Sequence, residues 1–365
     1  MYSRREILLS VSGAMATATL GPALADLGAL AVPKKSKLGV CIHSYALRNR
    51  ADRAGPKATD HFAEPLNFLE YCHRFGAGGV QVGIGRRDDA HAARIRRQAE
   101  TYGMFVEGIA DLPRTQSDID RFEAELLAAK NSGAKVVRVV LLPSKVSGRR
   151  YEEYSSADEF YEACKRGRQM LEVAEPIAAR HHIRLAVENH KDQRIPEMLQ
   201  TIRAVSSEYV GVCVDTGNSI ALLEDPMEVI ESYAAWAYAV HLKDIAVQQY
   251  QDGFLLWDVP LGQGFLDLPK AINIIRSHHR EVQFSLEMMT RDPLKVPCLT
   301  QKYWAVLADV PGYDLARTLK LVRTHEVTSP GGGPKIGHLP LSEQLHLEQD
   351  NVEKSLAYAR EHLGL

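Results

Sequence analysis

The sequence has few cysteines, and they show no paired spacing. None of the five lies in a CxxC pattern, and their number is odd. Widely spaced cysteines of this kind do not indicate a disulfide framework, and those within apolar strand-like runs are predicted to be small buried side chains. The five are Cys41, Cys72, Cys164, Cys213 and Cys298.

The chain also lacks an excess of charge of either sign and a long apolar run. Its 365 residues carry a formal net charge of −2, with 45% hydrophobic and 25% charged residues. A near-neutral charge gives no support for nucleic acid or an anionic membrane as partner. The composition is that of a globular protein, long enough for one large α/β domain.

The N-terminus carries a targeting pattern. The segment SRREILL at 3–9 has the twin-arginine arrangement, a weakly apolar stretch follows, and Ala23-Leu24-Ala25 fits a cleavage site. An ordinary charged N-terminus and a membrane anchor are the alternatives, but the stretch falls short of the roughly 20 apolar residues of a spanning helix. Residues 1–25 are therefore predicted to be a twin-arginine signal peptide. The mature domain, 26–365, is expected in the periplasm or otherwise exported.

Strand-like and helical patterns alternate eight times. Apolar, β-branched runs typical of strands buried on both faces occur at 38–45, 79–85, 105–110, 136–142, 183–190, 210–218, 237–246 and 282–289. Amphipathic stretches follow at 64–75, 88–102, 117–132, 156–180, 195–205, 226–236, 268–279 and 313–326. This alternation predicts an α/β fold, a (β/α)₈ TIM barrel over about 37–326, with a doubly wound open sheet as the alternative. The barrel is favoured because polar residues lie at the carboxyl ends of strands all along the chain.

The C-terminal extension, 327–365, is predicted to lie outside the barrel. It begins with a Gly- and Pro-rich linker at 327–338 and continues into an extra helix at roughly 341–363. We expect that helix to pack on the outer surface.

Three connections that follow strands are long: 46–63, 143–155 and 247–266. In a barrel such loops build the mouth of the active site. The third contains Gln251-Asp252-Gly253 between two apolar runs, which indicates a hairpin. Its end, 260–264, is Gly-rich but short, and we interpret it as a turn rather than a phosphate-binding loop.

Four side chains end the last four strand-like runs: Glu188, Asp215, His241 and Glu287. Polar groups at these ends are rarely explained by packing, and three carboxylates that converge with an imidazole repel one another unless a cation lies among them. Oxygen-rich ligands with a single nitrogen favour Mn²⁺ or Mg²⁺, and Co²⁺ or Zn²⁺ also fit. The pattern predicts one divalent cation bound by these four residues.

Several neighbours are expected to face a substrate. Residues two apart on a strand point the same way, so His190 shares a direction with Glu188, and Lys243 with His241. For His190 a solvated loop histidine is the alternative. A lysine beside a metal site normally binds an anionic or carbonyl oxygen, so Lys243 is a candidate substrate contact. His43, at the end of the first strand, is another.

The motifs VENH, CVDTGN, VHLKD and SLEMM resemble those of the xylose isomerase-like TIM-barrel superfamily, in its sugar phosphate isomerase/epimerase branch. The resemblance covers nearly the whole mature chain. It implies that the four residues ligate one divalent cation, usually Mn²⁺. It also implies that Glu188 and Glu287 act as acid and base on opposite faces of a keto sugar, through a metal-stabilised enediolate.

The residues around this core depart from the epimerase pattern. Asn218 stands where ketose epimerases commonly carry a substrate-binding histidine, Val247 where they carry an arginine, and Arg194 where they carry an acid. These departures put a free ketohexose substrate in doubt. Basic residues near the mouth favour a carboxylate or another oxidised sugar function, although each alone fits a solvated loop charge. They are Arg48, Lys191, Arg194, Lys243, Arg291 and Lys295.

Four functional hypotheses follow. The leading one is a metal-dependent isomerase or epimerase acting on a keto sugar or oxidised derivative. The second is a lyase with the same intermediate, which decarboxylates a 3-oxo sugar acid or eliminates from a 3-oxo glycoside. A non-catalytic sugar-binding protein is disfavoured by the two glutamates, and an endonuclease IV-type nuclease by the single certain histidine. The expected partner is a small carbohydrate or sugar acid, without nucleic acid or stable membrane insertion; a homo-oligomer is left open.

Overall fold

A computed structural model describes residues 34–54, 61–327 and 333–365. These described residues all belong to one compact unit. The predicted signal peptide, 1–25, lies outside the described residues, as does part of the predicted linker. Among the described helices, none has the length and apolar character needed to cross a membrane.

Eight parallel strands close into a barrel in the order β1-β10-β7-β6-β5-β4-β3-β2. The predicted (β/α)₈ barrel is confirmed. The strands are β1 (Gly39–Cys41), β2 (Gly79–Val82), β3 (Phe105–Ile109), β4 (Val136–Val139), β5 (Arg184–Glu188), β6 (Val210–Asp215), β7 (Ala237–Leu242) and β10 (Gln283–Leu286).

Eight helices lie close to their predicted positions because start and stop signals bound them, whereas the shorter helices at 46–54, 150–153 and 301–304 were not predicted. The Asp88 carboxylate accepts a hydrogen bond from the His91 amide at the start of α3, and Gly103 ends that helix in the left-handed conformation. The helices are α1 (Ala46–Ala54), α2 (Pro65–Arg74), α3 (Asp89–Tyr102), α4 (Gln116–Asn131), α5 (Arg150–Glu153), α6 (Ala157–His181), α7 (Ile195–Val205), α8 (Pro226–Tyr233), α9 (Leu268–His278), α10 (Gln301–Trp304), α11 (Gly312–His325) and α12 (Leu341–Tyr358).

All eight barrel strands end earlier than their predicted runs, and contacts account for two of these ends. After β1 the chain turns into a 3-10 helix, Ile42–Tyr45. Ser44 in this helix binds the end of β10, because its hydroxyl donates to Leu286 O and accepts from Met288 N. The seventh run divides at Lys243, whose amide donates to Thr216 Oγ1 at 2.8 Å and whose carbonyl accepts from the same hydroxyl at 3.0 Å. Both breaks come from contacts with the neighbouring strand end.

The long connection after β7 contains the predicted hairpin. Strands β8 (Asp244–Tyr250) and β9 (Gly253–Val259) pair antiparallel, and β11 (Leu294–Val296) joins the edge of β9. At the return, Asp244 Oδ2 accepts hydrogen bonds from the amides of Gly262 and Gly264 at 3.0 and 2.9 Å. The Gly-rich segment is therefore a turn held by a carboxylate, as predicted.

The C-terminal helix α12 packs against the first turn after β1. Glu348 accepts hydrogen bonds from the amides of Leu47 and Arg48 at 2.7 and 3.0 Å, and Val352 and Leu356 join the main core. A π-helical turn, Ala359–Leu363, follows. The extra helix is thus present where the sequence predicts it.

Inside the barrel, most side chains near the amino ends of the strands are apolar, and those at the carboxyl ends are polar. Val136, Ala186, Cys213 and Ala239 form a small buried cluster. On the opposite wall the Phe105 ring lies against the backbone of β2, where a Cβ on Gly79 would be 2.4 Å from the ring. These side chains pack inside the barrel, and the site is built at the carboxyl ends of the strands.

Candidate metal centre

Four buried side chains meet at the carboxyl ends of β5, β6, β7 and β10. They are Glu188, Asp215, His241 and Glu287, and each offers a ligand atom within 4.8 Å of every other. Three of them end or nearly end a strand, and Glu287 comes directly after β10. The structure therefore brings together all four residues that the sequence assigns to a metal.

A hydrogen bond from the barrel interior orients His241. Its Nε2 lies 2.6 Å from Gln81 Oε1 on β2, and Gln81 Nε2 in turn donates to Glu107 at 3.0 Å. Because the Gln81 oxygen only accepts, Nε2 carries a proton. Burial by itself lowers the pKa of this imidazole, but Cys213, Glu287 and Glu188 together raise the pKa well above its usual value, so a bound cation would take the place of a second proton on Nδ1. That Nδ1 lies 3.6, 3.8 and 3.5 Å from oxygens of Glu188, Asp215 and Glu287 and is buried without a hydrogen-bond partner among the described residues.

Backbone amides hold one oxygen of Asp215. Its Oδ1 accepts hydrogen bonds from the amides of Gly217 and Asn218, both at 2.9 Å. The Asn189 side chain donates to the Asp215 carbonyl and accepts from the Asp215 amide. Its Oδ2 faces the cluster. Lys243 Nζ lies 3.1 Å from that oxygen, but away from the direction of a hydrogen bond, so Oδ2 is buried without one.

Glu188 is fixed by an arginine from the preceding strand. Arg138 on β4 donates from both Nε and Nη2 to Glu188 Oε2. Burial by itself raises the pKa of this carboxyl, but the Arg138 guanidinium holds the pKa well below its usual range. The other oxygen, Oε1, lies 3.4 Å from Asn218 Nδ2 and faces His241. Arg138 thus favours the ionised form of Glu188, and Oε1 faces the other predicted ligands.

Glu287 divides its two oxygens between different partners. Oε1 pairs with His43 Nδ1 at 2.8 Å, and Oε2 with Lys243 Nζ at 2.6 Å. Burial lowers the pKa of Lys243, yet Asp215 and Glu287 together raise the pKa well above the usual value. Lys243 therefore contacts the predicted ligands directly, as a buried ammonium ion.

Two buried cations change the electrostatic argument for a metal. Arg138 and Lys243 already offset the repulsion among the three carboxylates, so repulsion alone does not require a metal ion. What remains is the pair of unpartnered atoms, His241 Nδ1 and Asp215 Oδ2. Ligands bound at about 2.1 Å to one cation lie roughly 3.0–3.5 Å apart, close to the separations around His241. The four residues fit a divalent cation.

The remaining predicted substrate contacts surround this group. Asn218 Oδ1 accepts from Lys191 and lies 3.4 Å from Lys243 Nζ. His190 Nδ1 donates to Gly148 O at 2.8 Å, and burial lowers the pKa of this imidazole to about 3, so it is neutral. Arg291 Nε is buried without a hydrogen-bond partner among the described residues.

Other basic residues at the mouth have structural partners. Arg194 pairs with Asp314 at 2.6 Å and with Glu224 at 3.5 Å. Arg48 lies over the rings of Phe62 and Tyr71. Lys295 is exposed on β11. Lys191, by contrast, is buried, and burial together with the charges of Lys243 and Arg291 lowers its pKa to about 7.

The sequence analysis missed three polar residues inside the first half of the barrel. Gln81, Glu107 and Arg138 are buried on β2, β3 and β4. Each interrupts an otherwise apolar strand-like run, which is the signal that identified the four ligands. Burial raises the pKa of Glu107 to about 7.

The comparisons with known proteins agree with this architecture. Residues 69–308 match the family model described as xylose isomerase-like TIM barrel. The chain belongs to this family. The resemblance inferred from the four strand-end motifs is therefore confirmed.

A curated relative matches part of the chain. A 3-oxo-isoapionate decarboxylase from Pectobacterium atrosepticum is 31% identical over 120 residues, which make up 32% of this chain and 44% of the decarboxylase. The chain thus spans less than half the length of this relative.

Solved structures of the family share the barrel. A D-psicose 3-epimerase aligns with a TM-score of 0.53 at 14% identity, over 84% of this chain and 95% of the epimerase. A xylose isomerase-like barrel from Mycobacterium smegmatis, in complex with magnesium, gives 0.51 at 14%, over 78% and 98%. A 3-keto-D-glucoside 4-epimerase from E. coli gives 0.50 at 16%, over 80% and 100%. At these identities the likeness concerns the fold.

Proposed function

We propose that this protein is a divalent-metal-dependent lyase that decarboxylates a 3-oxo sugar acid. Glu188, Asp215, His241 and Glu287 would hold the cation, with Mn²⁺ as the first candidate. When bound, it supplies positive charge beside the ketone oxygen, where negative charge develops in the reaction. The sequence favoured an isomerase or epimerase. The geometry around Glu188 favours the lyase alternative.

The observation that carries the proposal is the ion pair between Arg138 and Glu188. A two-base epimerisation needs one glutamate to take a proton from carbon and the other to return it. Glu188 has one oxygen bound by two guanidinium donors, and its pKa is held well below the usual range. Such a carboxylate serves as a ligand and poorly as a proton carrier. Burial by itself raises the pKa of Glu287, but Lys243 and His241 hold that pKa well below its usual range as well. Its Oε1, however, contacts His43, a partly exposed imidazole that can carry a proton.

Decarboxylation needs no base in its first step. The bond between the carboxylate carbon and the adjacent carbon breaks, carbon dioxide leaves, and the electron pair moves through that carbon to the ketone oxygen. The resulting enolate then takes one proton on carbon. His43, hydrogen-bonded to Glu287 and 37% exposed at its side chain, is the candidate proton donor.

The charges in the pocket favour an anionic substrate. Lys191 interacts electrostatically with Lys243, Arg291, Asp215 and Asp258, and Lys243 with Asp215, Glu287 and Asp258. Four carboxylates thus face four basic side chains, of which Lys191 is only partly protonated at neutral pH, and a divalent cation would leave a positive excess. The acids are Glu188, Asp215, Asp258 and Glu287; the bases are Arg138, Lys191, Lys243 and Arg291.

Lys191 is the candidate contact for the substrate carboxylate. Its ammonium donates to an uncharged amide oxygen, that of Asn218. An anion beside it would offset the repulsion from Lys243 and Arg291 that lowers its pKa. The partial match to a decarboxylase of a 3-oxo acid supports the same substrate class.

The test is a substrate panel on Mn²⁺-loaded mature protein in D₂O, followed by mass spectrometry and NMR. A product lighter by carbon dioxide, with one solvent deuteron on carbon, is expected from a 3-oxo sugar acid. An isomer of unchanged carbon count would refute the lyase.

A pair of lysine variants tests the carboxylate contact. Lys191→Met should raise KM for the acid about 10-fold or more while the metal stays bound, because a charge-assisted contact is worth about 1.5–3 kcal/mol. Lys295→Met, at an exposed lysine of β11, is the matched control.

An isomerase or epimerase remains the second candidate. Both glutamates implied by the family resemblance are present, and Glu287 keeps a proton-transfer partner in His43. The same panel decides between the two, because an epimerase conserves the mass of its substrate.

A further inference from the structure

A second group of potential metal ligands lies beside the first. The Sγ of Cys41, a ring nitrogen of His43 and a carboxylate oxygen of Glu287 all lie within 4.8 Å of one another. Cys41 is the last residue of β1, and His43 lies in the 3-10 helix that follows. Because Ser44 ties this helix to the end of β10, the thiol and the imidazole are held next to Glu287.

Glu287 faces both groups at once. Its Oε1 lies 2.8 Å from His43 Nδ1, whereas its Oε2 lies 3.5 Å from His241 Nδ1 in the four-residue group. A carboxylate whose two oxygens point to different ligand sets is suited to bridge two cations, as in two-metal sites.

We propose that Cys41, His43 and Glu287 bind a second divalent cation, which shares Glu287 with the four-residue site. One thiolate, one imidazole and one carboxylate are three protein ligands of the kind that Zn²⁺ takes in catalytic sites, with a fourth position open. The four-residue site has no sulfur and prefers Mn²⁺ or Mg²⁺. The two sites therefore differ in metal preference.

The open position of the second site is directed towards solvent. Cys41 is fully buried and Glu287 nearly so, whereas the His43 side chain is 37% exposed. A substrate oxygen could reach an ion there from the mouth. A cation in this site would take His43 as a ligand in place of its proposed role as proton donor, whereas the titration of the site does not depend on which reaction the enzyme performs.

Cys213 provides a matched control. Like Cys41 it is buried in the barrel wall and interacts with His241. Its neighbours, however, are the apolar Val136, Ala186 and Ala239, and it belongs to neither group of potential ligands among the described residues. A metal-bound thiolate should therefore come from Cys41 and not from Cys213.

The test is a Co²⁺ titration of metal-free mature protein, with absorption and bound metal measured together. Thiolate coordination to Co²⁺ gives a charge-transfer band in the near ultraviolet. We expect two bound equivalents with this band in the wild type and in Cys213→Ser. We expect one equivalent without the band in Cys41→Ser.

Two further variants separate the sites. Asp215→Asn should lose the first equivalent and keep the band. His43→Gln should weaken the affinity for the second cation by more than about 100-fold, the upper range for loss of an outer-shell partner. This variant replaces Cys41→Ser in the test if Cys41→Ser does not fold. A single equivalent in the wild type, no thiolate band, or a band lost in Cys213→Ser instead of Cys41→Ser would overturn the proposal.

Discussion

Replacing Arg138 with methionine should destabilise the metal-free protein strongly. The substitution keeps an unbranched, though shorter, side chain and removes both donors to Glu188 Oε2. Breaking a buried ion pair by removing one partner costs about 3–5 kcal/mol, because the other charge is left buried and unpaired. With an unfolding entropy of about 2.1 cal/mol/K per residue, about 4 kcal/mol corresponds to roughly 6 °C in Tm for a domain of this size.

The pH dependence of this loss has a definite sign. Arg138 depresses the pKa of Glu188 in the folded protein, so the pair contributes stability above the ordinary glutamate pKa of about 4.3 and loses it as pH falls. In Arg138→Met the unpaired carboxyl takes up a proton more readily. The difference in stability between wild type and variant should therefore be largest at neutral pH and smaller in acid.

The assay is thermal unfolding in a chelator and again with Mn²⁺. A bound cation would take over part of the neutralisation of Glu188, so Mn²⁺ should raise the Tm of Arg138→Met more than that of the wild type. Arg184→Met is the control, because Arg184 is exposed and only lies over the Tyr238 ring; we expect it to lose about 1 kcal/mol or less. Equal losses in the two variants in chelator would refute the assigned role of Arg138.

Three further predictions concern the metal and the N-terminus. Asp215→Asn should bring the metal content measured by mass spectrometry to background and remove stabilisation of about 2.7 kcal/mol at a cation concentration of 100 Kd; full activity without metal would contradict it. Gln81→Leu, which removes the acceptor of His241 Nε2, should weaken Mn²⁺ binding about 10–100-fold by calorimetry, and unchanged affinity would contradict it. Arg4 and Arg5 changed together to lysine should hold an uncleaved precursor in the cytoplasm, and unchanged localisation would exclude the twin-arginine route.

The sequence predicted the barrel and the four clustered residues because both rest on local patterns. Apolar runs separated by amphipathic stretches specify the alternation, and a carboxylate or imidazole at the end of such a run is conspicuous. Parallel strands place those ends on one face without further information. Glu188, Asp215, His241 and Glu287 could therefore be assigned before their distances were known.

The partners of these residues could not be predicted in the same way. Arg138 and Glu188 are 50 residues apart, and their contact depends on the register between β4 and β5. Lys243 was predicted to face the substrate, but the break between β7 and β8 places its ammonium against Asp215 and Glu287. Such contacts come from tertiary packing, which no local pattern encodes.

The partners that the sequence did not predict alter the chemistry more than the four predicted ligands do. An unrestrained Glu188 could exchange a proton with substrate carbon, whereas a Glu188 bound to Arg138 is confined to the charged form. The pKa of Glu287 is lowered as well, but Glu287 contacts the partly exposed imidazole of His43, which gives one proton-transfer pair on one side of the cluster. A single pair suits a reaction in which carbon gains one proton after another group has left. The same four ligands can therefore support different outcomes within one fold, and in the proposed function the arginine on β4 favours the lyase.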